Sequence, residues 1–221
     1  MADIIVVQRL SAYVVVVLLA SSLASAQPPT GGGPGPVLGI VEIPKMFSLD
    51  PEVAGAPRGP VRIYTRPDYD SKMLVDISWP QAIDDAEYGY EETGALVYGR
   101  ERGYFLIRTS RGAGWLSPDD AGSFHSLETL IASDLSFLTD AWDGFVSASP
   151  GSADRRRVVP RQSDVRVKGQ RTIDGKLWLA IEVISHSVCE STEPATVKAR
   201  GWIRAHDAAG TPTVWFPSRG C

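Results

Sequence analysis

Short runs of apolar and β-branched residues, separated by turn residues, make up most of the chain after residue 36. Strands favour such runs, and Gly, Pro, Asp and Ser mark the turns between them. Only Asp119–Ala132 has a helical pattern, so the sequence predicts an all-β protein. The predicted strands are Leu38–Ile43, Val61–Thr65, Met73–Ile77, Ala95–Tyr98, Tyr104–Thr109, Gly114–Ser117, Leu135–Thr139, Gly144–Ala148, Asp164–Lys168, Leu177–Ile184, Ala199–Arg204 and Thr213–Phe216.

The strand pattern occurs twice. Arg62–Pro67 resembles Phe145–Pro150, and a polar loop follows each of them. Further on, Gly114–Gly122 resembles Gly201–Gly210, and both segments begin with Gly-Trp followed by an aliphatic residue. We therefore predict two domains, at residues 37–122 and 132–221. Residues 78–92 add acidic side chains and two tyrosines to the first copy, which leaves its strand register there open.

An extended strand, a polar loop with proline, a hairpin and a final Gly-Trp before an acidic turn resemble the bacterial SH3-like (SH3b) domain. The resemblance implies two tandem, small SH3-like β-barrels that bind a ligand without catalysis. Related domains bind extended peptides in an aromatic groove beside the first loop. The resemblance thus suggests a ligand site in the first copy, formed by Tyr64, Tyr69, Tyr104 and Trp115.

The second copy has serines at two of these positions, Ser147 for Tyr64 and Ser152 for Tyr69. The first copy is therefore the expected site of binding. The alternative is that the rings are core residues, and we favour that interpretation for Trp115 and its counterpart Trp202.

The N-terminus has the features of an export signal. Arg9 precedes a short apolar segment, Ala12–Ala20, and the small residues Ala24-Ser25-Ala26 follow. This order predicts a signal peptide at residues 1–26, cleaved before Gln27. An uncleaved membrane anchor is the alternative, but it would have to bury Gln8 and Arg9. Residues 27–36 form a Pro/Gly-rich leader, and we expect a periplasmic or secreted protein without stable membrane insertion after cleavage.

Cleavage would leave 195 residues with a net charge of −4. This mildly acidic charge argues against nucleic acid as a partner. The run Arg155–Arg157 is predicted to be a solvated loop, or alternatively a local contact for an anion or carboxylate. In an oxidising compartment, Cys189 and Cys221 predict one disulfide worth roughly 3–4 kcal/mol, and two buried free thiols are the alternative.

No catalytic, phosphate-binding or metal-binding motif is present in the sequence. A thiol peptidase would pair Cys189 with His186 or His206, but it needs a separate catalytic fold for which no residues remain. We therefore expect a non-enzymatic protein of the cell envelope, without a cofactor, that binds a peptide, a peptidoglycan fragment or a partner protein. The alternatives are a structural or assembly subunit and a hydrolase without a readable signature.

Overall fold

The structure is a computed structural model that describes residues 33–47, 60–77, 82–132, 135–157, 163–187 and 189–219. The protein is all-β, as predicted. Its strands are β1 Gly39–Val41, β2 Val61–Tyr64, β3 Met73–Ile77, β4 Asp85–Gly89, β5 Glu92–Glu101, β6 Tyr104–Thr109, β7 Gly112–Leu116, β8 Phe124–Ser126, β9 Phe137–Leu138, β10 Phe145–Ser147, β11 Arg155–Arg157, β12 Val165–Ile173, β13 Lys176–Ile184, β14 Val197–Arg204 and β15 Val214–Trp215. Within these ranges two single-turn helices accompany the strands, α1 Pro44–Phe47 and α2 Leu127–Leu130.

Each of the twelve predicted strands overlaps an observed one, but the prediction for Arg155–Arg157 was wrong. The helical pattern of Asp119–Ala132, which predicts no more than a short helix or turn, contains the single-turn helix α2, where the Ser126 side chain caps the first turn by accepting a hydrogen bond from the Thr129 amide. The strand β8 lies within the same segment. Arg155–Arg157 is not a loop but strand β11, at one end of its sheet. Charged side chains are common on such end strands because they discourage pairing with other chains.

The two copies contain the same antiparallel arrangement of five strands. In the first sheet the order β3-β2-β7-β6-β5 continues into β1 and β8, while β4 pairs with β5. In the second sheet the order is β11-β10-β14-β13-β12. We call β2, β3 and β5–β7 the first repeat, and β10–β14 the second repeat.

Residue pairing fixes which positions of the two repeats are equivalent. Tyr64 lies opposite Trp115 in the first repeat, as Ser147 lies opposite Trp202 in the second. The two tryptophans in turn lie opposite Leu106 and Ala180. A register shift follows Val97 in β5 and Val167 in β12, at matching places. The repeats therefore share their irregularities as well as their strand order.

The glycine before each tryptophan permits a close approach of two strands. A Cβ on Gly114 would lie 2.4 Å from Ile63 Cγ2 and 3.2 Å from the Tyr64 carbonyl oxygen. A Cβ on Gly201 would lie 2.7 Å from Val146 Cβ and 3.0 Å from the Ser147 carbonyl oxygen. Any side chain would push β7 away from β2, or β14 away from β10, which explains the recurring Gly-Trp pair.

The strand β5 is buried on both faces and joins two hydrophobic cores. Ala95 and Val97 pack into a core formed by the first repeat together with β1 and α1. Leu96 and Tyr98 point to the other face and pack into a second core. Most of that core comes from the second repeat and from β9 and β15, for example Leu179, Ile203 and Trp215. The continuous apolar run is typical of a strand covered on both sides.

Polar contacts also join the beginning and the end of the chain. His206 Nε2 donates a hydrogen bond of 2.7 Å to the Val37 carbonyl, and the Val37 amide donates one of 3.2 Å to the Gly210 carbonyl. Glu87 in β4 accepts hydrogen bonds from the Ser218 hydroxyl at 2.9 Å and from Arg219 Nε at 2.8 Å. These bonds hold the segment after β14 against the first sheet.

Candidate functional site

Three of the four predicted site residues form one aromatic cluster. Tyr64 ends β2, Tyr104 begins β6, and Tyr69 lies in the loop between β2 and β3. The ring centroids of Tyr64 and Tyr69 are 6.2 Å apart, those of Tyr64 and Tyr104 6.4 Å, and those of Tyr69 and Tyr104 5.3 Å. All three pairs meet edge to face, the arrangement that the ring quadrupole favours. We call these residues the tyrosine cluster.

The cluster has a buried base and an exposed top. Tyr64 and Tyr104 are 7% and 4% exposed, whereas Tyr69 is 51% exposed. The loop that carries Tyr69 is closed by a hydrogen bond of 2.9 Å from the Thr65 amide to the Lys72 carbonyl. The Ser71 hydroxyl, bonded at 3.1 Å to the Arg66 carbonyl, braces its interior. The exposed ring therefore stands on a fixed base.

Two hydroxyl groups give the cluster its polar character. Desolvation and then a hydrogen bond to the Asp119 carboxylate raise the pKa of Tyr69 to about 12. The Tyr104 hydroxyl is shielded from solvent and interacts with the Tyr69 hydroxyl inside the cluster.

Trp115, the fourth predicted residue, lies across from Tyr64 but outside the cluster. Its ring atom Cη2 lies 3.8 Å from where a Cβ on Gly99 would stand, beside the Leu106 side chain. It is half-buried. Trp115 belongs to neither hydrophobic core of the described residues, so the packing role that we favoured for the tryptophans stays a prediction.

The equivalent place in the second repeat is a cavity of about 390 Å³. Ser147 and Ser152 line it where the first repeat has Tyr64 and Tyr69. The register makes Trp178 the equivalent of Tyr104, because each lies two residues before the matched pair Leu106 and Ala180. The aromatic side chains in the wall are Trp142, Phe145, Trp178 and Trp202.

A larger groove of about 910 Å³ adjoins this cavity, between the two repeats. One side is formed by the segment around Val37, by Arg100 of β5 and by the start of α2. The other side is formed by the β12–β13 turn and residues 204–210. The cavity and the groove share Arg204, His206, Asp207 and Ala208, so together they form one long depression.

Comparison with known proteins gives no relative. The chain matches no family model, no curated protein and no solved structure. The internal comparison of the two repeats is therefore the main guide to the site.

The remaining predicted features can be placed as follows. No cluster of three or more His, Cys, Asp or Glu residues suited to a metal ion occurs in the part of the chain that the structure describes. No helix within the described ranges is long and apolar enough to cross a bilayer. Cys189 lies in an exposed turn before β14, but Cys221 is outside the described residues, so their disulfide stays a prediction. The predicted signal peptide and the leader up to residue 32 also lie outside them.

Trp178, in the wall of the second repeat's cavity, was not predicted as a site residue. It lies in a predicted strand, and Trp178-Leu179-Ala180-Ile181 aligns with Tyr104-Phe105-Leu106-Ile107. That alignment is the signal that could have revealed a second site. The Ser substitutions suggested a poorer surface, but the structure shows that they leave an open cavity.

Proposed function

We propose that the protein is an exported, non-catalytic binding module of the bacterial cell envelope that recognises an extended peptide, either free or within a cell-wall fragment or a partner protein. The observation that carries the proposal is the tyrosine cluster, in which an exposed ring stands on two buried ones. Rigid tyrosine rings offer apolar contact and hydroxyl groups at little cost in conformational entropy.

The position of the cluster supports a peptide ligand. It lies beside the loop that joins the first two strands of the repeat, where SH3-like domains bind extended chains. The duplicated strand order is in keeping with two SH3-like copies, which is part of the proposal. The exposed ring of Tyr69 offers apolar contact to the side chains of such an extended chain.

A structural or assembly subunit is the second candidate function. The observation that favours it is the extensive contact between the repeats, which makes the molecule a stiff body with several exposed surfaces. Such a subunit would use its surfaces for permanent contacts and would not need the tyrosine cluster for them.

The experiment is a binding assay with purified envelope protein and purified, sonicated cell wall from the host, using the immobilised mature protein. Replacing Tyr64 and Tyr69 by alanine should weaken binding at least ~30-fold, because central aromatic residues dominate such interfaces. Tyr69→Ala alone should account for a large part of the loss without disturbing the core, since half of its surface is exposed.

Tyr90→Ala is the matched control. Tyr90 is 69% exposed and lies in the β4–β5 turn, where the Arg219 guanidinium stands over its ring. We expect this variant, and the pair Ser147→Ala with Ser152→Ala, to change binding less than about twofold. Circular dichroism and a melting curve check that each variant is folded. Equal binding by the folded Tyr69→Ala variant and the parent would exclude the tyrosine cluster as the site.

A further inference from the structure

The long depression formed by the cavity and the groove is distinguished by contacts between arginine side chains and aromatic rings. Three arginine side chains along it lie over aromatic rings. Arg100 Cζ is 4.3 Å from the centroid of Phe124, Arg155 Cζ is 4.8 Å from that of Phe145, and Arg204 Cζ is 5.6 Å from that of Trp178. All six residues line either the cavity or the groove.

A guanidinium group stacked on a ring keeps its N–H groups free at its edge. The ring restricts the position of the guanidinium, and the planar fork of donors matches a carboxylate. The contact with the ring therefore orients the guanidinium for a bidentate contact with a carboxylate. The side chain also loses less conformational entropy when the carboxylate binds.

Two of these arginines have no acidic partner of their own. Arg155 pairs with Asp143. Arg100 and Arg204, like Lys176 in the same groove, form no ion pair with any residue in the described part of the chain. The acidic residues in the wall are Glu128, Asp143 and Asp207, and Asp207 accepts hydrogen bonds from the amides of Ala209 and Thr211. The four basic residues Arg100, Arg155, Lys176 and Arg204 exceed these three by one, so the depression carries one excess positive charge in a protein whose net charge is −4.

We propose that this depression binds an extended acidic peptide segment of a partner protein, with its carboxylates on Arg100 and Arg204. The guanidinium groups of Arg100 and Arg204 are complementary to the carboxylates of such a segment, and the groove and cavity, of about 910 and 390 Å³, give it room. A glycan with carboxylates would share the charge, but sugars stack on free ring faces. Here guanidinium groups cover a face of Phe124, Phe145 and Trp178.

This site is separate from the tyrosine cluster. The depression shares no residue with the cluster, and arginines line it, whereas the cluster has the Asp119 carboxylate at its edge. Binding at the depression therefore does not depend on the proposed function of the cluster.

The test is isothermal titration calorimetry of the mature protein with hexa-L-glutamate, with hexa-L-glutamine as the neutral analogue. We expect binding of the first peptide only, and weaker binding as salt is added. Arg100→Gln combined with Arg204→Gln should reduce the affinity at least ~10-fold, since hydrogen bonds between charged groups are the strong ones. Arg204→Lys should give an intermediate affinity because it keeps the charge and loses the fork.

Arg102→Gln is the matched control. It removes the same charge from an arginine that is 75% exposed on the β5–β6 turn, outside the depression. It should change the affinity less than about twofold. The proposal is overturned if the parent protein does not bind hexaglutamate, or if the folded double variant binds it as tightly as the parent. Binding of trigalacturonate as tight as that of hexaglutamate would overturn the peptide in favour of an anionic glycan.

Discussion

In the first repeat Tyr64 and Tyr69 close over Tyr104, and the space beside the first loop is filled with rings. In the second repeat Ser147 and Ser152 stand at the same positions, and a cavity of about 390 Å³ remains in front of Trp178. The strand order, the register shift in β5 and β12, and the Gly-Trp pair are the same in both. Different side chains at two positions of one framework therefore accompany a packed aromatic surface in one repeat and an open cavity in the other.

The turn after the Gly-Trp strand differs in the same way. Asp119 in the first repeat is equivalent in sequence to His206 in the second. Asp119 bonds to Tyr69 and belongs to the tyrosine cluster. His206 instead donates to the Val37 carbonyl and belongs to the contact between the repeats. Equivalent positions thus contact the first loop in one repeat and the segment around Val37 in the other.

The largest effect should come from the feature that the repeats share. Gly114→Ala and Gly201→Ala should each lower the free energy of unfolding by about 1–3 kcal/mol, because the new Cβ would overlap the side chain of Ile63 or Val146 on the neighbouring strand. Gly169→Ala is the control, since a Cβ there would be 4.0 Å from its nearest neighbour. Urea unfolding measures all three. A loss in only one of the two Gly-Trp variants would contradict the equivalence of the repeats.

A smaller loss of stability should follow from removing the hydrogen bond between His206 and Val37, which has no counterpart among the described residues of the first repeat. His206→Ala removes one hydrogen bond to Val37 and should cost about 1–2 kcal/mol. Burial lowers the pKa of His206, so its neutral form is favoured in the folded protein. Its contribution is complete above the unfolded pKa of about 6.5 and is lost as the pH falls through the lower pKa of the folded state.

Unfolding measurements of parent and variant from neutral to mildly acidic pH test this contact. The difference in stability between the two proteins should be largest at neutral pH and should shrink as the solution is acidified. A difference that grows on acidification would mean that His206 is stabilised in its charged form.

The smallest effect concerns a single titration in the first repeat. Tyr69 should ionise with a pKa of about 12, against about 10 for an ordinary tyrosine. Ultraviolet difference absorption between the parent and Tyr69→Phe isolates its signal. Asp119→Asn should lower this pKa only in part, because desolvation is the larger cause. Ionisation near 10 in the parent would show that the ring is not held in the cluster.

Strands with a strong apolar pattern could be predicted from the sequence almost to the residue. Met73–Ile77 and Tyr104–Thr109 have the predicted bounds. The strands that escaped prediction, among them Asp85–Gly89 and Arg155–Arg157, lie at the ends or beside the main order of their sheets, where charged side chains are tolerated. Pairing with neighbouring strands stabilises them, and their own residues show no apolar strand pattern.

The tyrosine cluster could be foreseen because aligned repeats bring its members beside one loop. The cavity of the second repeat could not be foreseen, because its volume depends on how far the surrounding side chains extend in three dimensions. The stacked arginines were also beyond prediction, since Arg100 and Phe124 meet only through the pairing of β5, β1 and β8. Such contacts across a sheet have no fixed spacing in the sequence.

The strand β5, buried on both faces, also bears on how the protein is made. During synthesis the first repeat emerges first, and it can close its own core around Ala95 and Val97. Leu96 and Tyr98 stay uncovered until Leu179 and Ile203 leave the ribosome or the export channel. Until then the nascent chain exposes the apolar side chains of Leu96 and Tyr98, and exposed apolar surface of this kind promotes aggregation and is recognised by chaperones. A truncated chain that ends between the repeats would keep this surface exposed permanently and would be a substrate for proteolysis.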